Sequence, residues 1–205
     1  MAFRDFSFPE VQQVFGLNLS ETDLFSSVSP LSVPAAFAER MRSDIALALA
    51  INTEKARSEF IIAPLLSELR RLLGGRFSLF SGVEFDVDSA RGLNGYCDFI
   101  LSRSPLQSVL TAPAVIIIEA KNDNLRTGLG QCIAAMVAAQ EFNSRSASVS
   151  AVVHGVVTTG SAWKFLRLSG AEIVLDVEEY FIAEMGRIMG ILAFILQAAA
   201  SPVTV

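Results

Sequence analysis

Glu119 and Lys121 interrupt one of the most apolar stretches of the chain, Ala114 to Lys121 (AVIIIEAK). Residues two apart on a strand project to one face, so this pair would stand side by side at the polar end of the run. A buried strand seldom carries two charges on one face without a use for them. Asp98, in Gly95-Tyr96-Cys97-Asp98, belongs to another strand-like stretch. If the two strands are neighbours, the Asp98 and Glu119 carboxylates and the Ala120 carbonyl make an oxygen-rich site suited to Mg²⁺ or Mn²⁺. Glu54 opens a helix. At about 100° per residue, Ser58, Ile61, Leu65 and Leu72 fall within roughly 40° of it, which aims Glu54 along the buried stripe and leaves Glu59 facing solvent. Gln131 lies one turn into a later helix. Each residue also has a plain alternative: a salt-bridged pair at a strand end (Glu119 and Lys121), an edge carboxylate (Asp98), an acid favoured by the helix dipole (Glu54), a solvent-facing amide (Gln131).

The elements that must position these groups are legible as changes of period. Ser- and Pro-rich sequence up to Val33 reads as a loop, and a helix from about Pro34 to Ala50 follows, with a break at Asn52-Thr53. Glu54 to Leu73 is an amphipathic helix that Pro64 should kink and Gly74-Gly75 should stop. Strands are expected at Phe77–Asp88, Tyr96–Ser102 and Ala114–Lys121, then an alanine-rich helix over Gly128–Phe142. Further strands are expected at Val149–Val157, Ala162–Leu168 and Ile173–Val177, and a helix from Glu178 to Ala200. The order predicts a single α/β domain with a central mixed sheet flanked by helices. Within it, residues 1–50 form an N-terminal extension with a helix and 51–177 the core. Residues 178–205 form an apolar C-terminal helix that packs on the core or on a dimer partner.

Composition narrows the function classes. The 205 residues are 52% hydrophobic and 18% charged, which excludes a disordered polymer, and the length suits one sizeable core. Sixteen Lys and Arg against 21 Asp and Glu exclude a strongly basic nucleic-acid binder. Two cysteines and one histidine leave no zinc cluster or disulfide framework. The apolar excess suggests a surface covered by another copy, a homodimer. The opening MAFRDFSFPE lacks the apolar run of a signal peptide, and Ile188–Leu196 is shorter than the ~20 residues of a spanning helix; a cytoplasmic chain with no membrane segment is expected.

Taken together, Glu54 on a leading helix, Gly95-Tyr96-Cys97-Asp98, Ile118-Glu119-Ala120-Lys121 and Gln131 resemble the PD-(D/E)XK nuclease superfamily, the restriction-endonuclease-like fold. The later HGVVTTGSAWKFLRL is similar to the nuclease domains that open the motor subunits of type I restriction enzymes. The resemblance covers about residues 50 to 170, and it departs from the common pattern in that Asp98 follows Gly-Tyr-Cys and not Pro. It implies metal-dependent hydrolysis of nucleic acid, DNA first. Asp98 and Glu119 would hold Mg²⁺ or Mn²⁺, with Glu54 ligating a second cation or a metal-bound water. Lys121 would orient or deprotonate a water or stabilise the phosphorane, and Gln131 would hydrogen-bond the nucleophile or a phosphate oxygen. The rival is a relative of the same fold that binds or assembles without cleaving, which the net charge of −5 favours. Glu84, Asp86 and Asp88 read as an exposed strand face, His154 as a packed histidine. Arg70, Arg71, Arg76, Arg91, Arg103 and Arg126 read as either a DNA face or a solvated rim.

Overall fold

A Ser7–Glu10 capping box starts the first helix: the Ser7 amide and hydroxyl both donate to Glu10 Oε2, at 2.9 and 2.7 Å. This helix, α1 (Phe8–Phe15), stops at Gly16, whose left-handed φ of 62° closes the last turn. The computed structural model describes residues 1–146 and 152–198. After α1 come β1 (Asn18–Thr22), α2 (Ala35–Ile51) and α3 (Glu54–Arg57), which Thr53 caps by accepting the Ala56 amide at 3.1 Å. A π-turn (Ser58–Ile62) joins α3 to α4 (Ala63–Leu72). Pro64 then falls in the first turn of α4, where a missing N–H costs little, so the helix continues. Gly74 and Gly75, both left-handed, end it.

Then follow β2 (Ser78–Glu84), β3 (Tyr96–Ser102), β4 (Ala114–Ala120), α5 (Leu129–Arg145), β5 (Val152–Thr158), β6 (Ala162–Ser169), β7 (Glu172–Asp176), β8 (Tyr180–Phe181) and α6 (Met185–Gln197). Among the described residues the strands form one mixed sheet of order β1-β7-β6-β5-β4-β3-β2, with β8 paired to β6. β4 is central and buried along its whole length. It runs antiparallel to β3 and parallel to β5. One apolar layer lies between the sheet and α2, α4 and α6; the other lies between the sheet and α1 and α5. This is a single-domain α/β fold with a mixed sheet flanked by helices, the class expected from the element order.

The first fifty residues are woven into the fold, since β1 pairs in parallel with β7 at the sheet edge. β1 has no sequence signal: all five residues are exposed, so no apolar alternation marks it. The strand expected over Phe77–Asp88 ends at Glu84, and Asp88 instead caps a short 3-10 turn by accepting the Ala90 amide. Of the strand expected from Val149, residues 149–151 lie outside the described residues, as do 199 and 200 of the last helix. That helix also starts later than expected, because Tyr180–Phe181 pair with β6 first.

α6 packs on its own chain. Gly186 and Gly190 let the backbone of Ser29–Leu31 approach so closely that a Cβ would lie 2.8 Å from the Leu31 oxygen at one and 2.4 Å from the Ser29 oxygen at the other. No helix among the described residues is long and apolar enough to cross a membrane.

Candidate functional site

The β3–β4 ladder ends at the pair Phe99 and Ile118. One residue further, the Asp98 side chain replaces a backbone partner: its Oδ2 accepts the Ala120 amide at 2.7 Å. Asp98 is thereby held against β4 next to Glu119, whose side chain is 5% exposed. Lys121 leaves β4 at its carboxyl end, where its amide donates to the Thr158 carbonyl of β5 at 2.8 Å. Its ammonium returns to the sheet lip and donates to Glu119 Oε1 at 2.5 Å and to Gln131 Oε1, on α5, at 3.3 Å. Four sequence candidates therefore meet: Asp98, Glu119, Lys121 and Gln131.

Glu54 differs from expectation. It is exposed at the start of α3 rather than turned into the stripe beneath, because the first residue of a helix overhangs the layer its later turns cover. Its charge nevertheless reaches the site, bearing on both Glu119 and Lys121. Arg57, one turn on, ties this helix to the β5–β6 turn through the Thr159 carbonyl and Ser161 Oγ, both at 3.0 Å. Glu59 is exposed and paired with Lys55 at 2.6 Å.

The electrostatics follow from crowding acids in a dry place. Burial, then the charge of Asp98 and that of Glu54, push the Glu119 carboxyl up to about 8, against the opposing pull of Lys121. Burial also raises Asp98, in spite of the Ala120 hydrogen bond and the Lys121 charge. For Lys121, burial works to lower the pKa, but Glu119, Glu54 and Asp98 outweigh it and the ammonium is held above its ordinary value. In the metal-free protein Lys121 therefore stands as a fixed cation beside the two acids.

Whether the donors suit a divalent cation can be judged from the same crowding. Two adjacent carboxylates that hold protons against their normal acidity are what a dication would relieve, and oxygen donors match Mg²⁺ or Mn²⁺. Among the described residues no group of three or more His, Cys, Asp or Glu stands placed to hold a metal ion. The protein share would thus be Asp98 and Glu119, with water or phosphate oxygens completing the shell, a common arrangement for Mg²⁺. The residues fit the group on those terms.

Two neighbours carry no sequence signal of their own. A Cβ at Gly128 would sit 2.7 Å from Val157 Cγ1 and 3.1 and 3.2 Å from Lys121 Cγ and Cε, so the missing side chain makes room for the lysine stem. Read along the chain, Gly128 marks only a helix start. Thr158 contributes through its carbonyl, which residue type does not reveal.

The arginine rim is largely committed elsewhere. Arg70 Nε donates to the Phe77 carbonyl, Arg71 pairs with Glu68, Arg91 with Glu141, and Arg103 donates to the Ile195 carbonyl in the last turn of α6. Arg76 and Arg126 remain exposed. In comparisons with known proteins, no family model and no curated protein matches the chain.

Proposed function

We propose that this chain is a metal-dependent nuclease that hydrolyses phosphodiester bonds, with DNA the first substrate to try. One observation carries the reading: on one sheet lip two crowded, reluctantly ionised carboxylates meet a lysine ammonium that is itself gripped by a glutamate and a glutamine. A structural ion pair needs one acid and one base, and the second acid beside it only adds repulsion. Asp98 and Glu119 would hold the cation, which when bound supplies a Lewis acid for the phosphoryl oxygen and lowers the pKa of water. Lys121, kept protonated, places a fixed positive charge where negative charge develops on phosphorus. Gln131 holds that ammonium through its carbonyl oxygen and has amide N–H donors left for a phosphate oxygen. Glu54, from the solvent side, adds negative potential that favours a cation at the lip.

A second reading has its own support: a relative of this fold that binds or assembles without cleaving. Lys121 already neutralises Glu119, most rim arginines serve internal carbonyls and acids, and the net charge is −5. The deciding experiment is cleavage of assorted DNA and RNA in Mg²⁺ or Mn²⁺, beside Lys121→Ala and Asp98→Asn. Cleavage that falls at least about 100-fold in both variants is expected of the nuclease. Metal-dependent cleavage that both variants retain would assign it to a contaminant, and no cleavage of any substrate would favour the binding module.

A further inference from the structure

We propose that Arg57 is a positioning residue of this site: its guanidinium fastens the first turn of α3 to the β5–β6 turn and so keeps the Glu54 carboxylate over the lip where a cation would sit. This rests on the metal-dependent reading and goes beyond it by giving a role to a side chain outside the donor set. α3 has four residues, too few for its own hydrogen bonds to hold it in place. Something outside the helix must therefore fix where Glu54 stands.

Arg57 reaches acceptors on two other segments. Nη1 donates to the Thr159 carbonyl and to Ser161 Oγ, and Nη2 donates to Asn52 Oδ1, each at 3.0 Å. Asn52, at the end of α2, has a left-handed φ of 54° and is the one non-glycine residue with positive φ among the described residues. The chain turns there from α2 into α3, and Arg57 grips the residue that makes the turn. On the other side, the β5–β6 turn is knit internally. Thr158 Oγ1 accepts the Gly160 amide at 2.8 Å, and Trp163 Nε1 donates to the Gly160 carbonyl at 2.9 Å. Thr158 also supplies the carbonyl that accepts the Lys121 amide at 2.8 Å. Glu54 and Lys121 are thus referred to one braced turn, the first through Arg57 and the second through Thr158.

The contact uses the shape of the guanidinium, not its charge. Among the described residues no carboxylate forms an ion pair with Arg57, not even Glu54 three residues before it. All three acceptors are neutral, and Nε is buried with no partner, a desolvation cost that nothing local repays. A planar fork spans separate acceptors, which the single ammonium of a lysine does not. Glu54 is left free of its neighbouring cation, and its negative charge bears on Glu119 and Lys121.

Titration of the full chain with Mn²⁺, the free ion followed by electron paramagnetic resonance, tests this without any cleavage. Glu54→Gln should weaken Mn²⁺ binding about fivefold by removing one nearby charge. Arg57→Lys and Arg57→Met should each weaken it about threefold or more, and neither should weaken it further in the Glu54→Gln background. Ser161→Ala, which removes one acceptor only, should show a milder loss of about twofold with the same dependence on Glu54, and serves if the Arg57 variants do not fold. Wild-type affinity in Arg57→Lys, tighter binding in Arg57→Met, or a loss that persists in full without Glu54 would each overturn it, since the first two follow from charge alone and the third from general loosening. The two readings fail separately. Mn²⁺ binding that ignores Arg57 loses the positioning and keeps the metal site. A Glu54-linked dependence on Arg57, with no substrate cleaved, keeps the positioning and loses the nuclease. No binding by the wild type at millimolar Mn²⁺ removes both.

Discussion

The state of Lys121 depends on a residue that has no side chain. Gly128 has a φ of −89°, a conformation open to any residue, so its small size answers to space and not to backbone freedom. Gly128→Ala should therefore cost about 1–3 kcal/mol by overpacking against Val157 and also push the lysine stem aside. The double variant Gly128→Ala with Val157→Ala should recover most of the melting temperature while cleavage stays low; recovery of both together would make the glycine a packing residue only. Glu119 offers a cleaner titration. Its carboxyl is raised above the unfolded value of 4.5, so the fold holds this proton more tightly than the unfolded chain does. The associated stability is whole below pH 4.5 and fades as pH climbs through about 8, at up to ~1.4 kcal/mol per pH unit. Glu119→Gln, which mimics the protonated acid, should melt like the wild type near pH 4.5 and above it at pH 9 in EDTA. Equal melting at both pH values would remove the crowding on which the cation site rests.

At the scale of elements, the site depends on how α5 is fastened to β4. Asn143, on the last turns of α5, is buried and pairs with the first residue of β4 twice: it accepts the Ala114 amide at 2.8 Å and donates to the Ala114 carbonyl at 2.7 Å. The opposite end of the same helix carries Gln131, so α5 is clamped to β4 at both ends. Asn143→Leu should destabilise by roughly 2–4 kcal/mol, since two buried backbone groups lose their partners, and thermal or urea melting would read this. Elements also mark where sequence patterns run out. β4 and α5 are plain to see because burial writes a period into them. β1 and β8 are invisible because an exposed edge strand and a two-residue pairing leave none. Pro64 signals a kink in sequence, and the chain resolves it with a π-turn one step earlier.

Across the whole molecule two groups on opposite sides of the sheet lean on stability in opposite directions. His154, on β5, lies tilted against Phe25, with ring centroids 6.1 Å apart, and its Nδ1 is buried without a hydrogen-bond partner. Burial first, then the charges of Arg167 and Arg103, lower its pKa from 6.5 to about 3. The unfolded chain therefore binds this proton more readily, and the stability, whole above pH 6.5, is lost as pH falls toward 3. Since Glu119 acts the other way above 4.5, metal-free protein should be most stable between about pH 4.5 and 6.5 and weaken on either side. His154→Leu should flatten the acid limb of a melting-temperature profile and leave the alkaline limb alone; an unchanged acid limb would sink the assignment.

The local pattern was enough to specify an α/β chain with its main helices and strands in order, and to single out Asp98, Glu119, Lys121 and Gln131. Each of these stands at the end of an apolar period, and a period survives in the linear record because burial repeats along one element. The partnerships were decided in three dimensions. That Asp98 bonds the Ala120 amide, that Glu54 overhangs the lip, that Lys121 keeps its proton and that the rim arginines turn to internal carbonyls and acids all depend on which distant segments pair, and in which register. Register is set by contacts between residues far apart in the chain, and no window of neighbouring residues contains them.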